Sequence, residues 1–155
     1  LNDIVDPQTR SRMMSAIKGK NTNPELAVRR YLHARGFRYR LHRAGLPGKP
    51  DLVLPKYRLA IFVHGCFWHR HAGCFYATSP ATRKNFWREK LDGNVARDKR
   101  QQTALTDAGW RVLVIWECGL KHNSSEASQI DDLIMGEDSW TEWPKKPPKT
   151  RPKKT

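Results

Sequence analysis

Half of the six histidines and two of the three cysteines in this chain fall in one stretch, Ile61 to Cys74, which reads Ile-Phe-Val-His-Gly-Cys-Phe-Trp-His-Arg-His-Ala-Gly-Cys. It opens as an apolar, strand-like run and then turns rich in metal-ligating side chains. Cys66, His71 and Cys74 have the spacing C-x4-H-x2-C, which three ligands of one tetrahedral zinc can share. Cys118, at the end of a second apolar run, is placed to give the fourth. Four protein ligands leave no open coordination position, so such a zinc is structural and a histidine is left over for acid/base work. Spacing does not say which one: His71 can ligate with His69 free, or the reverse. The competing reading is three unligated thiols, because a free cysteine often behaves as a small hydrophobe.

A second constellation lies upstream. Asp51 follows Pro50 at the start of one strand-like segment, and twelve residues separate it from His64 at the end of the next. A hairpin brings that carboxylate and that imidazole to one edge of a sheet, a nuclease-like geometry. Mg²⁺ takes oxygen ligands, keeps several waters and needs only one or two carboxylates, so a lone Asp beside a scissile phosphate is enough. Pro-Asp is also a common turn dipeptide. Phe67 and Trp68, with Trp87 further on, are aromatic residues among polar neighbours. They can act as wedges between base steps, where unstacking costs a few kcal/mol and least beside a mismatch, or they can be core. For Phe86-Trp87, a helix is expected to turn one of the two inward.

These side chains need elements to hold them. Asp6-Pro7 starts a short helix through Met13, Met14 and Ile17 that Gly19 ends. Asn23-Pro24 starts a second, carrying Glu25, Val28, Tyr31 and Leu32 and ending at Gly36. Phe37 to His42 alternates apolar and polar residues, the period of a half-buried strand. Asp51–Leu54, a turn at Pro55–Tyr57 and Arg58–Val63 form a hairpin. Phe86 to Ala108 has helical spacing with a break expected at Asp92-Gly93. Trp110 to Trp116 is the strongest strand signal, and a helix entering such a strand implies a crossover in an α/β sheet. Residues from about 124 to 135 fit one more amphipathic helix. From Pro144 onward four prolines and six positive charges leave nothing to bury, so a flexible basic arm is expected there.

At 155 residues, with 38% hydrophobic and 10% aromatic composition, the chain is long enough for one real core and is not a disordered protein. A net charge of +14 points to a polyanionic partner and to fast, salt-sensitive association. Membranes attract such charge too. However, the sequence has no long apolar run and no signal-peptide pattern, so a cytoplasmic nucleic-acid protein is expected. An odd number of cysteines argues against a disulfide framework. The chain starts at Leu1, as expected of a segment taken from within a longer one.

Pro50-Asp51, Ile61-Phe-Val-His64, Gly65-Cys-Phe-Trp-His69, Ala81-Thr-Arg-x-x-Phe-Trp87, Asn94-Val-x-Arg-Asp98 and Gly109-Trp-Arg-Val-Leu-Val-Ile-Trp-Glu-Cys118 together resemble the very-short-patch repair (Vsr) DNA mismatch endonucleases, over about residues 7 to 120. The resemblance implies an α/β fold with a restriction-endonuclease-like core, a mixed central sheet flanked by helices, and a structural zinc loop. It implies nicking of double-stranded DNA 5′ to the thymine of a T:G mismatch left by 5-methylcytosine deamination, by a monomer that works beside other DNA repair proteins.

It further implies that Asp51 and the Val63 carbonyl hold catalytic Mg²⁺ and that His69 activates water. His64 and Asp98 support the site and Glu25 reaches it. Zinc sits on Cys66, His71, Cys74 and Cys118. Phe67, Trp68 and Trp87 enter the duplex, and the N-terminal helix clamps it with Met13 or Met14. The chain departs from the family at His69-Arg70-His71-Ala72-Gly73-Cys74, a loop one residue longer. Like the family, it lacks the Glu-x-Lys of restriction-type sites, having Phe62 and His64 in roughly those places. A histidine base titrates near neutrality, so cleavage is expected to slow below about pH 6.5.

The expected layout is an N-terminal helical clamp over 1–22, an endonuclease core over 23–136 with its zinc loop at 64–78, and a basic tail over 137–155. Two rival readings remain: a restriction-like nicking enzyme indifferent to mismatches, and a zinc-stabilised DNA-binding module without catalysis.

Overall fold

Residues 22–148 are described by a computed structural model. The expected N-terminal clamp with Met13 and Met14, and the basic residues from 149 on, lie outside the described residues.

Helix α1, Asn23–Ala34, begins one residue earlier than the Asn-Pro pair suggests. Thr22 is its cap, its hydroxyl accepting from the Glu25 N–H at 3.4 Å, and Pro24 sits in the first turn, where a missing N–H costs nothing. The alternation from Phe37 to His42 yields only a two-residue strand, β1, Arg40–Leu41. Phe37 and Tyr39 instead pack against the core without strand pairing. β2, Leu52–Leu54, a 3₁₀ turn at Pro55–Tyr57 and β3, Leu59–His64, form the expected hairpin.

Helix α2, Lys84–Asp107, runs unbroken through Asp92-Gly93. One interior glycine costs about 1 kcal/mol, too little to end a helix that crosses over to β4. Strand β4, Arg111–Trp116, leads straight into a short helix α3, Glu117–His122, then α4, Ser128–Met135, and β5, Trp140–Trp143. The boundary drawn at 137 therefore needs correcting, because β5 belongs to the sheet. Its alternation of outward Trp140 and Glu142 with inward Thr141 and Trp143 is a period-2 signal that the neighbouring Pro-Lys run obscured.

The five strands lie in sequence order. β1–β2 and β2–β3 are antiparallel, while β3–β4 and β4–β5 are parallel, with His64 opposite Trp116 and Val112 opposite Trp140. The sheet is mixed and both faces are covered. On one face Leu52, Ile61, Leu113 and Trp143 pack with Val28 and Leu32 of α1 and Ile130 and Ile134 of α4. Each fully buried aliphatic side chain of this kind stabilises by about 1.5–3 kcal/mol. Asp131, buried on α4, fixes the angle of α1 by accepting from Tyr31 Oη at 2.6 Å and Arg35 Nε at 2.7 Å. On the other face Phe62, Val112, Val114 and Trp116 meet Leu105 of α2 and all three cysteines. The two parallel central strands thus end together at His64 and Trp116, beside the loop that follows β3.

Candidate active site and metal centre

Three groups of His, Cys, Asp and Glu converge among the described residues, each with donor atoms within 4.8 Å of one another. The first is Cys66, His71, Cys74 and Cys118, all buried. Cys66 Sγ lies 3.6 Å from His71 Nδ1, and Cys118 Sγ lies 3.5 Å from the same nitrogen. A tetrahedron with Zn–S of about 2.3 Å and Zn–N of about 2.1 Å has an S–N edge of about 3.6 Å. The donor set and its spacing therefore fit a closed four-ligand zinc.

Protons are unevenly shared in this cluster. The hydrogen bond from the Cys118 side chain, helped by His71, pulls the Cys66 thiol well below its usual range. That same bond and burial push Cys118 up, and burial pushes Cys74 up. A cation is what lets all of them ionise together. The loop is braced by Arg70, which donates to the Ala77 and Thr78 carbonyls at 3.1 and 2.8 Å.

His69 lies outside that cluster. Its Nδ1 is 2.6 Å from Asp98 Oδ2 on α2, and its ring stacks on His64 with centroids 3.8 Å apart and planes 7° from parallel. His64 is almost fully buried at the end of β3. Burial first, and His69 second, hold its pKa well below the ordinary imidazole range, so its ring is neutral. The Asp98 carboxylate fixes which His69 nitrogen faces away from it, leaving Nε2 for chemistry. Trp116 forms a shared wall, stacking on His71 at 4.1 Å and meeting His64 edge-on at 5.3 Å.

Asp51 begins the β2 side of the site. Its Oδ2 accepts from the Val63 N–H at 2.7 Å, which ties the carboxylate to the last turn of β3. Burial first, with nearby Glu25 adding to it, raises its pKa to about 6 against the pull of that hydrogen bond. Two carboxylates held this close together favour a cation between them, and oxygen donors are what Mg²⁺ takes. Glu25 is itself held by His42 Nε2 at 2.6 Å and by Arg29 at 3.2 Å. The sequence reading missed His42, having spent it on the polar face of a strand. Its left-handed backbone, φ 45°, is what turns it inward.

Asp51, Glu25, His64, His69, Asp98 and Trp68 line one cleft of about 810 Å³, with Lys49, Lys90 and Arg97 also on its walls. Trp68, Phe67 and Trp87 form a cluster at its side, with ring centroids 5.1 to 5.9 Å apart and all three partly exposed. Phe86 is also exposed, with the Arg83 guanidinium 4.2 Å above its ring. Contrary to expectation, neither Phe86 nor Trp87 joins the core, because the more covered of the two, Trp87, packs on Phe67 and Trp68 of the loop instead.

The family model for DNA mismatch endonuclease Vsr matches residues 2–75. A type II nicking enzyme, V.XorIIP of Xanthomonas oryzae pv. oryzae, is 49% identical over 86% of this chain and 98% of its own length. DNA mismatch endonuclease Vsr of Escherichia coli K12 is 46% identical over 87% and 89%. A further type II nicking enzyme, V.NmeAIP of Neisseria meningitidis serogroup A, is 40% identical over 86% and 95%.

Proposed function

From the premise that the chain belongs to the Vsr family of DNA mismatch endonucleases, we propose that it nicks one strand of double-stranded DNA on the 5′ side of the thymine in a T:G mismatch. The same reading assigns it a restriction-endonuclease-like core, dependence on Mg²⁺ and action as a monomer. One observation carries it: a half-buried carboxylate, Asp51, and a histidine paired to a carboxylate, His69–Asp98, line the same cleft, while the loop's other donors gather in a separate cluster.

Asp51 and the Val63 carbonyl would hold the Mg²⁺. When bound, that ion supplies Lewis-acid polarisation of the scissile phosphate and neutralises developing charge. His69 Nε2 takes the proton from the attacking water, and Asp98 stabilises the imidazolium that results. His64, neutral and stacked on the base, keeps the ring in its plane without adding a second positive charge. Glu25, steadied by His42 and Arg29, holds water on the Asp51 side. Zinc on Cys66, His71, Cys74 and Cys118 staples the loop that carries His69. The Phe67, Trp68 and Trp87 cluster inserts beside the mismatch, where unstacking is cheapest, and Lys49, Lys90 and Arg97 meet the backbone phosphates.

The deciding experiment is a nicking assay on matched and T:G duplexes, with and without Mg²⁺. Nicking confined to the T:G strand in the presence of Mg²⁺ is expected. Equal nicking of matched DNA would favour a broader restriction-like nicking enzyme, and binding without nicking would favour a DNA-binding module. Trp68→Ala tests the wedge: preference for T:G over matched duplex should fall at least fivefold, by loss of about 1–3 kcal/mol of stacking.

A further inference from the structure

Helix α2 has a cleft on each flank. Lys90, Asn94, Arg97 and Gln101 line the Asp51 cleft, while Val95, Lys99, Gln102 and Thr106 line a second cleft of about 450 Å³ over β4 and β5. Both sets are spaced i, i+4, i+7, i+11, so each is one stripe along the helix. At about 100° per residue the stripes stand roughly 140° apart. Leu91, Asp98 and Leu105 fall midway between them, facing the sheet. Both clefts reach His64, His69 and Asp98. The catalytic pair therefore lies under the helix with an approach from either side.

The two approaches differ in chemistry. The front sets Lys49, Lys90 and Arg97 around the carboxylates Glu25, Asp51, Asp98 and Glu117, so a phosphate backbone meets cations at the walls and acids, which a divalent cation would offset, at the floor. Among the described residues the rear has Lys99 as its one Lys or Arg, with Gln102, Thr103, Thr106 and Ser139 as neutral polar groups over a floor of Val114 and Trp116. Trp140 Nε1 donates to Gln102 Oε1 at 2.8 Å, tying β5 to the helix across this cleft. At about 450 Å³ and with polar groups on its walls, the rear cleft has ample room for water. A duplex drawn to the front covers the Asp51 side, yet hydrolysis consumes a water at His69.

We propose that the rear cleft is the route by which water and small neutral solutes reach the His69–Asp98 pair while duplex DNA covers the front. This rests on the reading of the front cleft as the DNA face, and the test separates the two. Lys90→Cys on the front and Thr103→Cys at the rear are each reacted with methyl methanethiosulfonate, which forms a mixed disulfide and releases methanesulfinate. The zinc-loaded parent protein serves as blank.

With saturating T:G duplex and no Mg²⁺, the front cysteine should be protected at least tenfold, while the rear cysteine reacts within twofold of its free rate. Protection of both overturns the proposal. A front cysteine that stays reactive overturns the DNA-face reading itself. Delivery to the pair is read separately: imidazole added to a preformed His69→Ala complex with duplex should restore nicking. Adding Thr103→Trp to that variant should cut the restored rate at least tenfold. No restoration, or restoration that the plug leaves unchanged, overturns the route.

Discussion

The chain builds two donor-rich centres on either side of one indole, and they are opposites. The Cys66, His71, Cys74 and Cys118 centre is closed, with all four donors buried and turned on one point. The centre at Asp51, His64, His69 and Asp98 is open, and its donors are bound to other protein groups: Asp51 to the Val63 N–H, His69 to Asp98, His64 stacked on His69. A closed soft-donor set spends everything on holding a loop. An open set of oxygen and imidazole donors, kept in place by hydrogen bonds, leaves faces free to act on something that enters. Histidines two residues apart, His69 and His71, thereby end in different centres.

The largest break in this contrast should come from the closed centre. Cys118→Ser, or a strong zinc chelator, should release bound zinc and lower the thermal midpoint by more than 10 °C, taking DNA binding and nicking together, because metal-binding energy at such a site is folding energy. Retained zinc and a full thermal midpoint in Cys118→Ser would end the closed-site reading.

Next in size is the open centre. His69→Ala should lose about 10²–10⁴-fold in single-turnover nicking with DNA affinity within threefold of the parent. Parent-like nicking by this variant would remove His69 as base.

Asp51 sharpens the comparison through pH. Its carboxyl sits at about 6 in the fold and starts from 3.8, so the folded state binds more protons between those values. This half-buried carboxylate therefore destabilises the metal-free fold above about pH 6, by about 3 kcal/mol at most, and this cost fades as pH falls toward 4. Asp51→Asn should raise the thermal midpoint of the metal-free protein at pH 7, do so much less at pH 4.5, and abolish nicking. In the parent, the Mg²⁺ concentration for half-maximal nicking should rise as pH falls through about 6, since protons and cation compete for one carboxylate. An Asn variant no more stable at pH 7 than the parent would refute the strained carboxylate.

The smallest effect is expected at the shared wall. Trp116→Phe keeps an aromatic ring against His71 and His64 but loses the Nε1 hydrogen bond to Glu142 at 3.0 Å. Nicking should fall about two- to fivefold with zinc fully retained. A loss as large as that of His69→Ala would mean the two centres are not separable.

Much of this was legible in the chain. The ligand-rich loop, the Pro50-Asp51 corner, the hairpin and the apolar run ending at Cys118 are local patterns, and the strength of β4 in particular comes from five consecutive residues, Val112 to Trp116, that suit a covered strand. Sequence failed where tertiary contacts outweighed local preference. Gly93 did not break α2, Phe37 and Tyr39 are packed without being strand, and Trp140–Trp143 completes the sheet despite the basic run beside it.

What the sequence determined alone is the inventory: which donors exist, which follow a strand, and that a strongly basic chain would meet a polyanion. Which histidine joins which centre was decided only in three dimensions. His69 and His71 are equivalent by spacing, and they part because α2 brings Asp98 to one while the parallel pairing of β3 with β4 brings Cys118 to the other. Partners 29 and 47 residues distant along the chain leave no local trace, so no reading of neighbours could have made that choice.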